Sequence, residues 1–210
     1  MDFSSLKDLW DKKPYNGHVA AYLPNVFAIG TLAYNPEHII RKKVYKDMPF
    51  EPNWNMRVGT AVHEFVQRRL GEGWNHEQEI WYDFPYQWKS INATNITLFG
   101  SIDSINFVDH IIVEYKTSRS NDNTILPHYK LQASGYAKMC GYMYHSDFEA
   151  HIIKIPLVDN NDIIDYILSK DEIENGWNSL LGSAVSVADK MDVLLSEINQ
   201  AKEEKKAGKR

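Results

Sequence analysis

The chain has 210 residues, of which 43% are hydrophobic and 24% charged, a composition typical of a globular protein. Its formal net charge of −5 argues against a protein that coats nucleic acid by bulk electrostatic attraction, since such proteins are basic overall. The charge leaves open an enzyme that contacts a few phosphates locally through a bound cation. A single cysteine, Cys140, excludes an internal disulfide and any site built from several thiolates.

Signals for membrane insertion or export are missing from the sequence. No apolar run approaches the roughly 20 residues that span a bilayer. The N-terminal segment MDFSSLKDLWDKK has neither an apolar stretch nor the small-residue cleavage pattern of a secretory signal. We therefore expect a cytoplasmic protein without a membrane partner. A viral or phage origin of the protein stays open.

Neither internal repeats nor a long linker divide the chain, which favours one domain over residues 1–200. Within it we expect an N-terminal extension at 1–56, a core at 57–156 and a helical part at 174–200. The charged tail AKEEKKAGKR, residues 201–210, is expected to be disordered.

Hydrophobic periodicity and turn residues indicate alternating helices and strands. The expected helices are Pro36–Tyr45, Asn55–Leu70, Pro127–Gly141 and Glu174–Lys202. The expected strands are Gln78–Tyr86, Ile96–Phe107, Ile111–Thr117 and Phe148–Ile155. This order predicts an α/β fold with one mixed sheet flanked by helices.

The last helix carries an apolar stripe that is typical of packing against the body of a domain or against a partner chain. A homo-oligomer therefore stays open. The stripe consists of Ala184, Val187, Ala188, Met191, Leu194, Leu195 and Ile198.

The two central strands are expected to form an antiparallel hairpin that brings three charged residues together. Side chains alternate along a strand, so Glu114 and Lys116 share one face. A two-residue turn at Val108–Asp109 would place Asp103 opposite Glu114, and a turn at Asp109–His110 would place it opposite Lys116. A three-residue loop would break this parity, so the turn decides the arrangement.

Two carboxylates and an ammonium on a largely apolar strand pair are costly unless a function uses them. Mg²⁺ binds at sparse oxygen sites of this kind, with one or two carboxylates, waters and a substrate phosphate. Such an ion activates water for attack on a phosphate, while a nearby lysine orients the water or neutralises developing charge. The alternative is a structural ion pair between Lys116 and Asp103 across a solvated sheet face.

Two helices supply further candidate site residues. His63 lies on the apolar face of the helix that precedes the strands, where a histidine is either a core residue or a metal ligand. On the helix that follows them, Gln132 and Tyr136 are four residues apart and present together, in one stripe with Tyr129. Half-buried packing is the alternative for these three.

Taken together, these motifs resemble the RecB-like branch of the PD-(D/E)xK nucleases, to which lambda-type exonucleases and CRISPR-adaptation nucleases are related. The resemblance spans residues 59–136 in the expected order and implies a restriction-endonuclease-like core of helix, three strands, helix and strand. It rests on G-x-x-x-H (Gly59, His63), GSID (Asp103), IVEYK (Glu114, Lys116) and Q-x-x-x-Y (Gln132, Tyr136).

The resemblance implies a role for each matched residue. His63, Asp103, Glu114 and the backbone carbonyl of Tyr115 would bind Mg²⁺ or Mn²⁺, and Lys116 would be the catalytic lysine.

Three further positions follow from the same resemblance. Gln132 and Tyr136 would position the scissile phosphate or brace the site. Glu79, on the first strand of the sheet, matches an acidic position that helps some relatives hold a second metal ion; a solvated edge charge is the alternative.

The chain departs from many RecB-like relatives in one respect. Those relatives hold an iron–sulfur cluster with four cysteines, which Cys140 alone cannot supply, and Asn35 stands where the first of them is expected. We therefore expect no iron–sulfur cluster. The sequence also has no G-x-x-x-x-G-K-[ST] loop of the kind that helicases use.

Candidate DNA contacts are Arg119 and Lys130 beside the expected catalytic strand, and Trp54 and Arg57 at the start of the first long helix. The leading interpretation is a divalent-metal-dependent DNase that acts on single-stranded DNA or DNA ends in replication, recombination or repair. Exonuclease and endonuclease action both stay open. The alternatives are a non-catalytic nucleic-acid-binding module on a nuclease scaffold and a structural domain with a surface ion pair.

Overall fold

The computed structural model describes residues 23–45, 54–119, 124–157 and 162–207. Among these residues the strands are β1 (Val26–Ala28), β2 (Trp74–Pro85), β3 (Asn95–Asn106), β4 (Ile111–Ser118), β5 (Glu149–Pro156) and β6 (Ile164–Ile167). The helices are α1 (Ile29–Tyr34), α2 (Glu37–Ile40), α3 (Trp54–Gln67), α4 (Pro127–Tyr144) and α5 (Lys170–Ala207), with a π-helical turn at Arg41–Tyr45 after α2.

The strands form a mixed sheet in the order β1-β3-β4-β5-β6, and β2 also pairs with β3. The β1/β3 and β4/β5 pairs are parallel, whereas β3/β4 and β5/β6 are antiparallel. The parallel β4/β5 pair requires a long crossover, which α4 provides. This arrangement confirms the predicted α/β class with a mixed sheet flanked by helices, and it is compatible with a restriction-endonuclease-like core.

The chain divides into two compact units, and three of the four boundaries between them fall within β2, β3 and α5. The first unit comprises residues 1–48, 83–99 and 181–210, and the second comprises 49–82 and 100–180. The proposed extent of a single domain, residues 1–200, stays a prediction.

In the first unit, a carboxylate on α5 orders a loop. Asp192 accepts hydrogen bonds from the backbone N–H groups of Lys89 and Ser90, at 3.0 and 2.7 Å. Phe27 of β1 packs edge-on against Trp88, with ring centroids 6.5 Å apart. The first four residues of the predicted stripe on α5 are buried, and its last three are half-buried.

The second unit holds the C-terminal half of β3, together with β4, β5 and the helices α3 and α4. Its strands are rich in isoleucine, and isoleucine side chains build a fully buried centre because β-branched residues suit a pleated, covered surface. The centre includes Ile102, Ile105, Ile112 and Ile152. All of the charged and polar groups expected to form the site, from His63 to Tyr136, belong to this unit.

The predicted helix Asn55–Leu70 is three residues shorter at its C-terminal end than expected. The backbone N–H groups of Arg69 and Leu70 bond to carbonyls three residues back, at Val66 and Gln67. Such tight turns are common where an α-helix ends. The Gly-containing stretch GEGWN then leads into β2, which begins at Trp74 rather than Gln78.

The helix α5 is longer than predicted at both ends. At its start, Ser169 and Glu172 form a capping box: the Ser169 N–H donates to Glu172 Oε2 at 2.9 Å, and the Glu172 N–H donates to Ser169 Oγ at 3.2 Å. At its end, the helix continues to Ala207, which corrects the expectation that the tail is disordered from residue 201. The tail is rich in strong helix formers, and Gln200 donates to Glu204 four residues on.

The elements β1, α1 and β6 have three, six and four residues, too short to produce a clear hydrophobic period in the sequence. Within the described ranges, no helix combines the length and the apolar character needed to cross a membrane.

Candidate active site

The β3/β4 hairpin determines how the central charged residues meet. Its register pairs Ser104 with Val113 and Asn106 with Ile111, so four residues, 107–110, form the loop. An even loop preserves the parity of the two strands, and the register extended by one pair places Asp103 opposite Glu114. The predicted register with Asp103 opposite Glu114 is therefore confirmed, whereas the expected two-residue turn at Val108–Asp109 is wrong, because the loop spans 107–110.

Asn106 stabilises this loop. Its Oδ1 accepts the backbone N–H groups of Val108 and Asp109 at 2.9 and 3.1 Å, and its Nδ2 donates to Asp109 Oδ2 at 2.6 Å. Asparagine side chains commonly bond to the backbone two residues on in this way. His110 closes the loop with a left-handed backbone, at a φ of 55°.

Asp103 lies just beyond the last residue pair of the β3/β4 register. Its Oδ2 accepts a hydrogen bond from the backbone N–H of Tyr115 at 2.8 Å. Its Oδ1 lies 3.5 Å from Nδ1 of His63. The carboxylate thus connects three elements, because Asp103 lies on β3, Tyr115 on β4 and His63 on α3.

Glu114 is the most deeply buried charged residue of the site, with 1% of its surface exposed. Its Oε2 accepts a hydrogen bond from Lys116 Nζ at 2.8 Å, whereas its buried Oε1 has no hydrogen-bond partner among the described residues. Burial, reinforced by the neighbouring Asp103 carboxylate, raises the pKa of Glu114 to about 7. A buried carboxylate oxygen without a partner is costly in a folded protein. This cost suggests that a cation or a substrate group serves as the partner of Oε1.

Lys116 is held as an ammonium by its neighbours. Burial lowers its pKa, but Glu114 and Asp103 outweigh this effect, so the pKa lies above the ordinary value. Its Nζ also donates to Gln132 Oε1 at 3.1 Å and lies 5.3 Å from the centre of the Tyr129 ring. The predicted stripe of α4 therefore does meet the sheet at the lysine.

Gln132 and Tyr136 continue the hydrogen-bonded chain away from the lysine. Gln132 Nε2 lies 3.1 Å from the Tyr136 hydroxyl, and Tyr136 is 3% exposed. Burial raises the Tyr136 pKa well above its ordinary value, so the side chain is a neutral phenol. Gly100 makes room for its ring, since a Cβ at Gly100 would lie 2.2 Å from Tyr136 Cε1.

His63 is presented by the G-x-x-x-H stretch of α3. A Cβ on Gly59 would lie 3.2 Å from Thr117 Oγ1, so the glycine permits a close approach of α3 to β4. One turn later, the His63 ring packs edge-on against Tyr115, with centroids 5.7 Å apart. Burial lowers the pKa of His63, but the adjacent Asp103 carboxylate more than compensates, and the pKa is raised.

The ion pair formed by Lys116 is not the structural pair with Asp103 that the sequence left open as an alternative. Lys116 pairs with Glu114 on its own strand, not with Asp103 across the hairpin. The pair is also shielded from solvent, with side-chain exposures of 16% for Lys116 and 1% for Glu114. A solvated cross-strand salt bridge therefore does not describe this site.

The donor groups have a chemistry that suits a hard divalent cation: they are one imidazole and two carboxylates, of which Glu114 has the buried Oε1. In the arrangement seen among the described residues, however, no group of three or more His, Cys, Asp or Glu side chains is placed to hold a metal ion. Glu114 Oε2 faces Lys116, and Asp103 Oδ2 faces the Tyr115 N–H.

Glu79 and Glu77 occupy different environments on β2. Glu79, the predicted acidic residue, is half-buried, and burial raises its pKa. Glu77 instead joins the site's hydrogen bonds: its Oε1 accepts from Gln67 Nε2 at 3.1 Å, and the same Gln67 nitrogen donates to the Asp103 carbonyl at 2.7 Å. Neither Gln67 nor Glu77 was predicted, because a glutamine and a glutamate ten residues apart form no recognisable motif.

The four predicted DNA contacts differ in their exposure and in their hydrogen bonds. Arg119 is exposed just after β4. Lys130 is engaged with Tyr166 and Glu172, to whose oxygens its Nζ donates at 2.5 and 2.8 Å. A DNA contact at Lys130 stays a prediction. Trp54 begins α3 and is followed by Arg57, but the side chains of both lie outside the described residues.

The two positions that bear on an iron–sulfur cluster are also described. Cys140 is a buried free thiol on α4. Burial raises its pKa to about 12, which keeps it protonated. Asn35 follows the last residue of α1, and its backbone N–H bonds to the Thr31 carbonyl at 2.8 Å. The absence of a cluster stays a prediction.

Comparison with solved structures gives similarities at low sequence identity. The crystal structure named SSO0001 matches with a TM-score of 0.58 and 19% identity, over 87% of this chain and 82% of that one. A protein of Eubacterium rectale, named as a proposed exonuclease, matches with a TM-score of 0.45 and 12% identity, over 90% and 74%. The first similarity shows a shared fold, and the second is too weak to carry an argument. No protein family and no curated protein matches the chain in sequence.

Proposed function

We propose that this chain is a divalent-metal-dependent nuclease of the RecB-like PD-(D/E)xK branch, which hydrolyses phosphodiester bonds in DNA. The observation that carries the proposal is the buried Glu114–Lys116 pair, whose carboxylate has one oxygen without a partner in the part of the chain that the structure describes. Folded proteins rarely retain such a group unless a function requires it. Asp103 and His63 stand next to the pair and offer the further ligands that a cation needs.

His63, Asp103, Glu114 and the carbonyl of Tyr115 are the groups that would hold Mg²⁺ or Mn²⁺. When bound, the ion supplies Lewis-acid activation of the attacking water and of the phosphate. Because the two carboxylates repel each other, part of the binding energy comes from relieving that repulsion, which also raises the pKa of Glu114.

Lys116 acts in this proposal as a fixed cation. Its two observed hydrogen bonds, to Glu114 and Gln132, use two of the three N–H donors of an ammonium. The third donor serves to orient the attacking water or to bond to a phosphate oxygen. Since the pKa of Lys116 is raised, it stabilises negative charge in the transition state and does not serve as a neutral general base.

Gln132 and Tyr136 hold the lysine in place. The Gln132 Oε1 accepts from Lys116 and its Nε2 contacts the Tyr136 hydroxyl, so each end of the amide has one partner. A fixed amide orientation limits the positions open to the ammonium, which is the kind of preorganisation that lowers a barrier.

Single-stranded DNA or a DNA end is the proposed substrate.

The test is cleavage of three DNAs by the purified chain: circular single-stranded, linear single-stranded and linear duplex, each with Mg²⁺, with Mn²⁺ or with EDTA. We expect metal-dependent cleavage of at least one linear DNA, and loss of about a hundredfold or more in the rate for Asp103→Asn and for Lys116→Met. Cleavage of the circle would establish endonuclease action, because a circle has no end.

Lys138→Met is the matched control for the lysine. Lys138 also forms an ion pair, with Glu174 at 2.7 Å, but outside the site, so the variant should cleave at the wild-type rate. Equal cleavage in EDTA, or full activity of Asp103→Asn, would contradict the proposal. Tight DNA binding without cleavage under any metal condition would instead favour a non-catalytic nucleic-acid-binding module.

A further inference from the structure

Gln67, the last residue of α3, connects the helix to two strands. It is 8% exposed, and its Nε2 donates both to the backbone carbonyl of Asp103 at 2.7 Å and to Glu77 Oε1 at 3.1 Å. A side-chain amide nitrogen has two hydrogens, so these two bonds use its full donor capacity. The same residue therefore holds a carboxylate of β2 and the backbone of the proposed metal ligand on β3.

Glu77 determines the orientation of the Gln67 amide. An ionised carboxylate only accepts hydrogen bonds, so the amide must turn its nitrogen, not its oxygen, toward Glu77. The other oxygen of Glu77 accepts from Ser101 Oγ at 3.2 Å, two residues before Asp103. The segment from Ser101 to Asp103 is thus held at one end by Glu77 and at the other by Gln67.

The backbone of β2 is adapted to this contact. Glu77 has a φ of 50°, a left-handed conformation that is unfavourable for a non-glycine residue within a strand. In a regular strand Glu77 and Glu79 would share one face. The left-handed residue interrupts that alternation, and Glu77 is the one that bonds to Gln67 and Ser101.

We propose that Gln67 and Glu77 form a positioning pair that sets the backbone of Asp103, so that its carboxylate reaches the Tyr115 N–H and the cation site. The proposal rests on the proposed nuclease function. It adds that Glu77 is the acidic residue of β2 that helps to position Asp103. Gln67 and Glu77 are positioning residues, because they act on Asp103 and not on the substrate. The Gln67 amide bonds to the Asp103 carbonyl and to Glu77 of β2 through the same nitrogen.

The first test follows the hydrogen bond between the Tyr115 N–H and Asp103 by amide hydrogen exchange, which requires no enzymatic activity. Gln67→Leu removes both donors, and we expect the Tyr115 amide to exchange at least tenfold faster than in the wild type. Glu77→Gln should act in the same direction but less strongly, because the amide at 77 still accepts one bond. Glu79→Gln is the matched control on the same strand and should leave the exchange rate unchanged.

A second test separates positioning from mere stability by exchanging the two side chains. In Gln67→Glu, two carboxylates face each other, and we expect both Tm and kcat to fall. In the double variant Gln67→Glu/Glu77→Gln, the bond between positions 67 and 77 is restored with reversed polarity, so Tm should recover. The Asp103 carbonyl still lacks its donor, so kcat should stay at least tenfold below the wild type while KM changes little.

The outcomes distinguish this inference from the proposed function. Recovery of both Tm and kcat in the double variant would overturn the positioning role, and so would an unchanged Tyr115 exchange rate in Gln67→Leu. If the wild-type chain cleaves no DNA, the nuclease proposal fails, and the exchange measurements still decide whether Gln67 and Glu77 position Asp103.

Discussion

Asp103 accepts the backbone N–H of Tyr115 through Oδ2, with the two atoms 2.8 Å apart, at the point where the β3/β4 backbone register has ended. The side chain thereby takes a donor that a regular ladder would give to a backbone carbonyl. The bond ties the orientation of the proposed metal-binding carboxylate to the strand that carries Glu114 and Lys116. Substitutions on β3 or on β4 are therefore both expected to change the orientation of the Asp103 carboxylate.

Binding of a divalent cation should be visible in thermal stability. A cation that binds only the folded state at about a hundred times its Kd stabilises by about 2.7 kcal/mol. For a chain of this size that corresponds to a rise in Tm of about 5–10 °C. We expect this rise with Mn²⁺ for the wild type and not for Asp103→Ala, measured by differential scanning fluorimetry. An equal rise in both proteins would place the binding elsewhere.

Gly100→Ala should disturb Tyr136. The added Cβ would lie 2.2 Å from Tyr136 Cε1, and the buried ring has little room to move. We expect a loss of about 1–3 kcal/mol in unfolding free energy and at least a tenfold lower cleavage rate. In Gly182→Ala, the control on α5, the Cβ meets nothing within 4 Å. There a gain of up to about 1 kcal/mol is expected. Equal denaturation midpoints for Gly100→Ala and the wild type would contradict this account.

Tyr136→Phe removes one hydroxyl from the chain that ends at Lys116. Gln132 loses its partner at Nε2 and becomes free to rotate away from the lysine, whose position depends on Gln132 Oε1. We expect kcat to fall about tenfold, with a KM within a factor of about two, because the phenol contributes to positioning. Tyr142→Phe, on the exposed part of the same helix, should have wild-type kinetics. A changed KM with an unchanged kcat would place Tyr136 in substrate binding instead.

Gly59 and Thr117 should show coupled energetics. Gly59→Ala brings a Cβ to 3.2 Å from Thr117 Oγ1, a tight contact that offsets the helix-forming advantage of alanine. Gly59→Val should cost about 2 kcal/mol or more, because the larger side chain forces α3 away from β4. Replacing Thr117 by alanine should recover part of that loss. Urea denaturation of the two single variants and the double variant gives the coupling. Strict additivity would show that the two residues do not meet.

Glu172 should contribute stability that disappears in acid. Hydrogen bonds from Lys130, Tyr166 and Ser169 lower its pKa to about 2. A lowered folded-state pKa gives stability that is present above the unfolded pKa of 4.5 and is lost as the pH falls toward 2. Because about a third of the side chain is exposed, we expect Glu172→Gln to cost only about 1 kcal/mol at pH 7.

Urea denaturation at pH 7 and at pH 3 tests this dependence. The difference between the wild type and Glu172→Gln should shrink at the lower pH. Glu203→Gln, in an exposed pair with Lys206, is the control and should change stability by less than about 0.5 kcal/mol at either pH. A difference that is the same at both pH values would rule out the titration of Glu172 as its source.

Much of the fold and the site follows from local sequence. The strand alternation in IVEYK predicts that Glu114 and Lys116 lie on one face, and they form an ion pair. The spacing of Gln132 and Tyr136 predicts a shared helical face, and the two side chains are in contact. The S-x-x-E signal at Ser169 also stands in the sequence and would have marked the start of α5. These features depend on periods of two and 3.6 residues, which a sequence displays directly.

Tertiary structure decided the contacts between elements that are distant in sequence. The sequence was compatible with two registers of the β3/β4 hairpin. The structure has the register that places Asp103 opposite Glu114, and Asn106 bonds to the backbone within its loop. Lys130, a candidate DNA contact, donates hydrogen bonds to Tyr166 and Glu172, some 40 residues away in the chain. Likewise the left-handed backbone of Glu77 and its bond to Gln67 have no signal in the sequence. The sequence by itself determined which residue types form the candidate site. Packing among helices and strands determined which atoms meet, because such contacts leave no periodic signal in one chain.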